Sequence, residues 1–321
     1  MHPRQLVLLD ASEQALYRLQ SSLANSSPTS NCRIVLGNVT DRQHLDEIFD
    51  AHRPRSIFHA AAYKHVPLLE EHPLEAITNN ALGTFALAQC AKKFPHTRMV
   101  LLSTDKAVAP INILGATKCI AELITLANAG VVLRLGNVLG SEGSVSETFL
   151  RQIAAGGPVT ITDPHAERYF MTREEAVDLL LTSAVASPDS SLLVPRLNQQ
   201  HRVTSLADFL ILIYSPLARP SVIFTGFRPG DKSREALWSS AEQPFLTDRC
   251  SHFEIAGQFG QTGQAPDSQS LYSALKQLEQ AARERDLTCA MEIILRLVPD
   301  YKPGESITQL TQQTLQGTTQ P

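Results

Sequence analysis

The stretch Leu101 to Lys118, LLSTDKAVAPINILGATK, sets an acid, two amines and a hydroxyl at the end of one apolar strand and on the helix after it. Met99–Leu102 reads as a buried parallel strand. Ser103, Thr104, Asp105 and Lys106 then stand just past its carboxyl end, the edge at which open α/β sheets bind ligands. Beyond the Pro110 loop, Ile113–Ala127 reads as a helix on which Leu114 and Lys118, four residues apart, share one face.

Working outward, the same alternation recurs. Gln5–Leu9, Arg33–Leu36 and Ser56–His59 are short apolar runs, separated by helical stretches at Glu13–Ser22 and Thr40–Ala51. Leu74–Lys93 reads as a long helix and Val131–Leu135 as a further strand ending at Gly136 and Asn137. This order predicts an α/β fold with a parallel, doubly wound sheet. After about residue 140 the rhythm breaks. Helices are predicted at Phe149–Ala155, Arg173–Ala186, Ser205–Tyr214 and Arg234–Ser239, with short strands near Val159 and Val222. The expected organisation is a dinucleotide-binding unit over 1–140, a smaller mixed substrate lobe over 141–303, and a disordered Gln- and Thr-rich tail over 304–321. Gly257–Ser270 reads as a flexible polar insertion.

Composition excludes several classes. A chain of 321 residues, 43% apolar, can bury a large core, and a net charge of −4 with dispersed basic residues gives no argument for nucleic acid or an anionic membrane. The five cysteines are scattered without CxxC or zinc spacing, so no metal site is expected and reduced thiols in the cytoplasm are. No signal pattern or membrane-spanning segment is read in this chain; the longest apolar stretch is Phe209–Tyr214.

Seven ordered stretches carry a resemblance: LVLLDASEQALYRL (6–19), FHAAAYKHVPLLEEHPLEAITNNALGT (58–84), STDKAVAPINILGATK (103–118), LRLGNVLGSEGSV (133–145), GGPVTITDPHAERYFMTREEAVDLLL (156–181), GFRPGDK (226–232) and LVPDYKP (297–303). From Leu6 to Tyr301 the chain resembles the polysaccharide-biosynthesis (CapD-like) branch of extended short-chain dehydrogenases, the UDP-N-acetylglucosamine 4,6-dehydratases. The resemblance implies a Rossmann-type sheet, NAD as cofactor and a UDP-sugar as substrate. It puts Asp10 on the adenosine ribose, Asn38 and Val39 at the adenine, Ala60, Ala61 and Ala62 along the dinucleotide, and Asn80, Ser103 and Lys118 also on the cofactor side. Lys64, Asn137, Arg168, Arg228 and Glu235 are the implied substrate contacts; Tyr169 and Met171 either line the uracil or sugar side or belong to the core.

The implied chemistry begins with oxidation at C4 of the sugar, which acidifies the C5 proton. Lys106, kept neutral by burial and neighbouring positive charge, would remove that proton, and Asp105 would protonate the departing C6 hydroxyl. Leu114 stands where short-chain dehydrogenases carry a tyrosine, and the long members of the family resemble this chain in having a non-ionisable residue there. Thr104, polarised by Lys118, is then the expected base for the C4 hydroxyl.

One departure is larger. A dinucleotide unit normally opens with a strand and a G-x-x-G-x-x-G turn for the pyrophosphate, whereas the only glycine before residue 58 is Gly37. The chain reads as starting at the second strand, so the central strand of the order 3-2-1-4-5-6 is missing. A truncated or mis-started enzyme, weak cofactor binding, and a partner supplying the strand all fit. A non-catalytic sugar-nucleotide-binding remnant and a C5 epimerase are the alternative functions, and a homo-oligomer is left open.

Overall fold

A computed structural model describes residues 3–26, 31–186, 189–197, 199–240, 242–246, 252–257 and 267–317. The first half alternates as its periodicity predicts: β1 (Leu6–Asp10), α1 (Glu13–Ser26), β2 (Cys32–Leu36), α2 (Arg42–His52), β3 (Ser56–His59) and α3 (Val66–Glu71). The long helix is interrupted. α4 (Pro73–Ala76) passes through a π-helical turn, Ile77–Leu82, into α5 (Gly83–Ala91). Then come β4 (Arg98–Thr104), a 3-10 turn at Asp105–Ala107, α6 (Ile113–Ala127), β5 (Val131–Leu135) and β6 (Asn137–Val138).

The second half contains α7 (Val145–Ala154), β7 (Val159–Ile161), β8 (Glu167–Arg168), β9 (Phe170–Met171), α8 (Arg173–Ala186), β10 (Leu192–Pro195), β11 (His201–Arg202), α9 (Val203–Tyr214) and β12 (Val222–Phe224). β13 (Glu242–Leu246), β14 (His252–Gly257), α10 (Ser268–Arg283), α11 (Leu287–Leu297) and α12 (Glu305–Gly317) complete it.

The main sheet runs β13-β14-β10-β5-β4-β3, parallel from β3 to β10 and closed by antiparallel β14 and β13. Every residue of β5 is buried and four of the seven in β4 are, with none exposed, as expected of strands covered on both faces. β1 and β2 form a separate parallel pair. The break falls between β1 and β3, where the sequence places the missing central strand. α2 spans it on one face: His52 bonds Gln5 at 3.0 Å, and Leu45 and Phe49 enter the same core as Leu9 and Ile57.

That core gathers α2, α5 and α6 with α10 and α11, and Leu271, Leu275 and Leu278 place an apolar stripe of α10 against it. A second cluster is built from α7, β7 and α9. The chain past residue 140 is thus shared: β10, β13 and β14 extend the main sheet, while α10 and α11 return to the first core.

Two expectations are corrected. Glu305–Gly317 is helical rather than a disordered tail, because Ile307 is 1% exposed and docks into the core. Arg234–Ser239 is not a helix; the carbonyls of Lys232 and Ser233 accept from Arg168 and that of Glu235 from Gln200, so they are spent outside any helical ladder. Most of the Gly257–Ser270 insertion lies outside the described residues, and its end, Ser268–Ser270, opens α10.

Candidate active site

β4 ends in extended backbone at Thr104, whose hydroxyl accepts from the Lys106 amide at 3.3 Å and so starts the 3-10 turn. The turn brings Asp105 and Lys106 back over the sheet edge. Lys106 Nζ donates to Asp105 Oδ1 at 2.9 Å and to Asn137 Oδ1 at 3.4 Å, and lies 3.9 Å from Glu235 Oε1. Thr104 Oγ1 donates to the same Asp105 oxygen at 3.0 Å. An ammonium, two carboxyls and an alcohol therefore meet at one edge. The Asp105 side chain is 0% exposed and that of Glu235 2%, against 21% for Lys106, so Lys106 is the most exposed of the three charged groups.

The helix behind the turn is fitted to it. Asn112 caps α6 by accepting from Gly115 N, and Gly115 lies so close beneath Lys106 that a Cβ there would overlap the Lys106 carbonyl. Lys118, 5% exposed, donates to the Leu102 carbonyl at 2.5 Å, and burial lowers its pKa to about 8. This corrects one expected pairing: the hydroxyl of Thr104 is coupled to Asp105, while Lys118 serves a backbone oxygen.

A second correction concerns Lys106. Burial acts to discharge it, but Asp105 and Glu235 outweigh burial and hold its pKa above the ordinary lysine value. At rest it is an ammonium, not a neutral base. Glu235 moves upward, mainly by burial and against the pull of Lys106.

The expected substrate clamp is only partly assembled. Asn137 and Glu235 are in the cluster. Arg168 is beside it, but its guanidinium donates to the carbonyls of Glu167, Lys232 and Ser233, so it braces the loop that carries Glu235. Arg228 is exposed on its turn and pairs with Asp231 at 3.0 Å. Lys64 stands on the loop after β3, facing Glu142 and Glu147, with its pKa lowered by burial. Tyr169 and Met171 pack in apolar clusters.

On the cofactor side, Asp10 ends β1 with Oδ1 accepting from Ser12 N at 2.7 Å. Asn38 accepts from Thr40 and Val39 is buried. Ala60 and Ala61 are exposed just beyond β3 and Ala62 is half-buried. Asn80, in the π-helical turn, accepts from Tyr63 N at 2.8 Å and donates to Tyr63 O at 3.1 Å, fixing that loop from below. Ser103 points into the core, where it donates to Glu122 at 2.5 Å in a network with Arg134 and Glu242.

Lys232 is a site residue not singled out from the sequence. Its Nζ donates to Val108 O at 2.8 Å and lies 3.5 Å from Glu235 Oε2. It closes the GFRPGDK stretch, three residues before Glu235, and that place is the signal that marks it.

The family described as polysaccharide biosynthesis protein matches residues 1–256. The chain belongs to that family. Among its relatives are the capsular polysaccharide biosynthesis protein CapD of Staphylococcus aureus, 38% identical over 252 residues, and the probable polysaccharide biosynthesis protein EpsC of Bacillus subtilis, 37% identical over 250. Each match takes 75% of this chain and 42% of the relative, so the chain spans well under half of either protein. A UDP-glucose 4-epimerase of Rickettsia rickettsii is 34% identical over 232 residues, 70% of this chain and 67% of the relative.

Among solved structures, Pen from Bacillus thuringiensis aligns with a TM-score of 0.73 at 25% identity over 79% of this chain and 81% of its own. The dTDP-glucose 4,6-dehydratase DesIV from Streptomyces venezuelae, with NAD bound, aligns at 0.63 and 19%, over 73% and 79%. The family's Rossmann-type fold is thus the fold seen here.

Proposed function

We propose that this chain is an NAD-dependent sugar-nucleotide enzyme of polysaccharide or glycan synthesis, and that it dehydrates UDP-N-acetylglucosamine to a 4-keto-6-deoxy sugar. The observation that carries the reading is the Asp105–Lys106 pair, 2.9 Å apart, with Thr104 bonded to the same carboxyl. Loss of water across C5 and C6 needs a proton taken from one carbon and one given to an oxygen. A lysine amine, once its ammonium has released a proton, and a carboxyl on the same edge supply both. The relatives named for capsular polysaccharide synthesis and the NAD-bound dehydratase of like fold support the assignment.

Asp10, at the carboxyl end of β1, suits a ribose diol, whereas the Lys118 ammonium is turned to the Leu102 carbonyl and would have to leave it to meet the nicotinamide ribose. The described residues contain no glycine turn for the pyrophosphate. When bound, NAD supplies hydride acceptance at the sugar carbon. The protein's share is proton handling: Thr104 passes the C4 hydroxyl proton to Asp105, and Lys106 works at C5.

A second reading is favoured by the UDP-glucose 4-epimerase relatives: inversion at C4 without loss of water. Incubation with NAD⁺ and either UDP-N-acetylglucosamine or UDP-glucose separates the two. A product lighter by one water supports dehydration, and an epimer of unchanged mass supports inversion. No conversion of either, with binding retained, leaves the non-catalytic remnant. Under the dehydratase reading, Asp105→Asn and Lys106→Met each lower turnover by about 10²- to 10⁴-fold.

A further inference from the structure

Glu70, near the end of α3, is a buried carboxyl, 1% exposed, around which four segments remote in sequence converge. Its Oε1 accepts from the amide of Ile113, the first residue of α6, at 2.7 Å. Asn112, one residue earlier, caps α6 through Gly115 and donates from Nδ2 to the carbonyl of Gly230 at 2.8 Å. The amide of Lys302, in the LVPDYKP stretch, donates to the Pro110 carbonyl at 3.0 Å. Two glycines make the space. A Cβ on Gly230 would come within 2.8 Å of Asn112 Cβ and 2.9 Å of Val66 Cγ1, and one on Gly304 within 3.1 Å of Glu70 Oε2. Gly230 also has a φ of +81°, where a side chain is strained whatever the room. Glu70 Oε2 and the hydroxyl of Tyr301 are buried and have no hydrogen-bond partner among the described residues. A leucine would fill the place of Glu70 without leaving an oxygen unpaired, so what the carboxyl adds is its bond to α6.

Both arms of this junction lead to the sheet edge. Gly115, two residues after Ile113 on α6, lies directly beneath the Lys106 carbonyl. Gly230 stands two residues before Lys232, which bonds the Val108 carbonyl at 2.8 Å and lies 3.5 Å from Glu235. We propose that Glu70 is a positioning residue: by holding the Ile113 amide it fixes the start of α6 and, through Asn112, the 226–232 loop, and so sets where Lys106 and Lys232 stand. Glu70 acts through these segments and is itself bonded to neither lysine. Its effect on turnover rests on the dehydratase reading, whereas its effect on the two segments does not.

Amide hydrogen exchange of the whole protein, without substrate, tests the proposal. In Glu70→Leu, which removes the acceptor, exchange over 112–116 and over 228–232 is expected to rise about tenfold or more, while β5 stays within about threefold of wild type. Glu70→Gln keeps an acceptor for the Ile113 amide and is expected to hold both segments within about threefold of wild type. Wild-type rates in both segments of Glu70→Leu overturn the proposal, as does a rise confined to 112–116, since the loop then stands without Glu70. A rise in β5 equal to that of the two segments also overturns it, because Glu70 would then support the fold at large. So does a Glu70→Gln protein that exchanges as fast as Glu70→Leu. If Glu70→Leu does not fold, Glu70→Asp, whose carboxyl falls one methylene short of the Ile113 amide, is read by the same criteria. Under the dehydratase reading, kcat falls about 10- to 100-fold in Glu70→Leu and recovers in Glu70→Gln. Absence of dehydration in the incubation above leaves the exchange result standing, so the two readings fail separately.

Discussion

Lys118 is held in conflict between burial and charge. It lies 5% exposed under β4, and among the described residues its one hydrogen bond goes to the Leu102 carbonyl. Burial brings its pKa from the ordinary 10.5 to about 8. Between those two values the unfolded chain holds a proton that the folded one has released, so stability rises with pH across that window. The full displacement corresponds to about 3 kcal/mol. Relative to Lys118→Met, the wild type should therefore gain up to about that much unfolding free energy between pH 8 and pH 10.5, measured by urea titration. Two curves that run parallel in pH defeat the claim. His59 acts in the same sense at lower pH. Buried and bonded to Thr84 at 2.8 Å, it has a pKa pulled down to about 3, chiefly by burial and also by Lys118, so stability is lost as pH falls below 6.5.

The elements under the site are coupled by two features that side-chain volume and charge make testable. Arg134 on β5 donates to both oxygens of Glu122 on α6, at 2.9 and 2.7 Å, and to Glu242 on β13 at 3.0 Å, with all three buried. Replacing Arg134 by Met strands two buried carboxyls. The expected loss is about 3–5 kcal/mol, while adding Glu122→Gln and Glu242→Gln to it should recover much of the deficit. A single variant within 1 kcal/mol of wild type, in a two-state denaturation, contradicts this. Gly115 is the second coupling. Any side chain there meets the Lys106 backbone, so Gly115→Ala should displace the 3-10 turn and cut activity more than stability. Equal activity per folded molecule is the outcome that refutes it.

At the scale of the whole molecule, what was legible in the sequence followed from pattern density. β3, α6, β5 and α8 match their predicted bounds because apolar period and punctuation agree. The Thr104–Lys106 cluster was legible because three consecutive residues at a strand end need no long-range contact to come together. The Lys106–Glu235 approach was not, since it depends on Arg168 folding the 232–235 loop inward. α12 was hidden for a related reason: Ile307 and Leu310 are few apolar residues in a Gln- and Thr-rich run, and helicity there comes from docking. α10 is the opposite case: its apolar stripe is present in the sequence, but the polar insertion before it blurs where the helix begins.

The gap between β1 and β3 carries the last consequence. Strands inside a parallel sheet are buried on both faces, yet Leu6 of β1 is 44% exposed and Phe58 of β3 is 37% exposed. Val177, Leu181 and Val185 on α8 are exposed as well. A parallel pair without a third strand is marginal alone, and α2 links β1–β2 to the main core through Leu45 and Phe49. It should open independently, as a low-stability unit. In amide hydrogen exchange, residues 6–10 and 32–36 are expected to exchange through an opening several kcal/mol cheaper than that of β4 and β5. Asp10 and Asn38, the proposed adenosine contacts, stand at the ends of these two strands. NAD, if it binds as proposed, must therefore protect this pair first, in proportion to the logarithm of its concentration over its Kd. Uniform protection across both sheets without ligand would mean that the break in the ladder does not divide the molecule, and the independent-opening argument would fall.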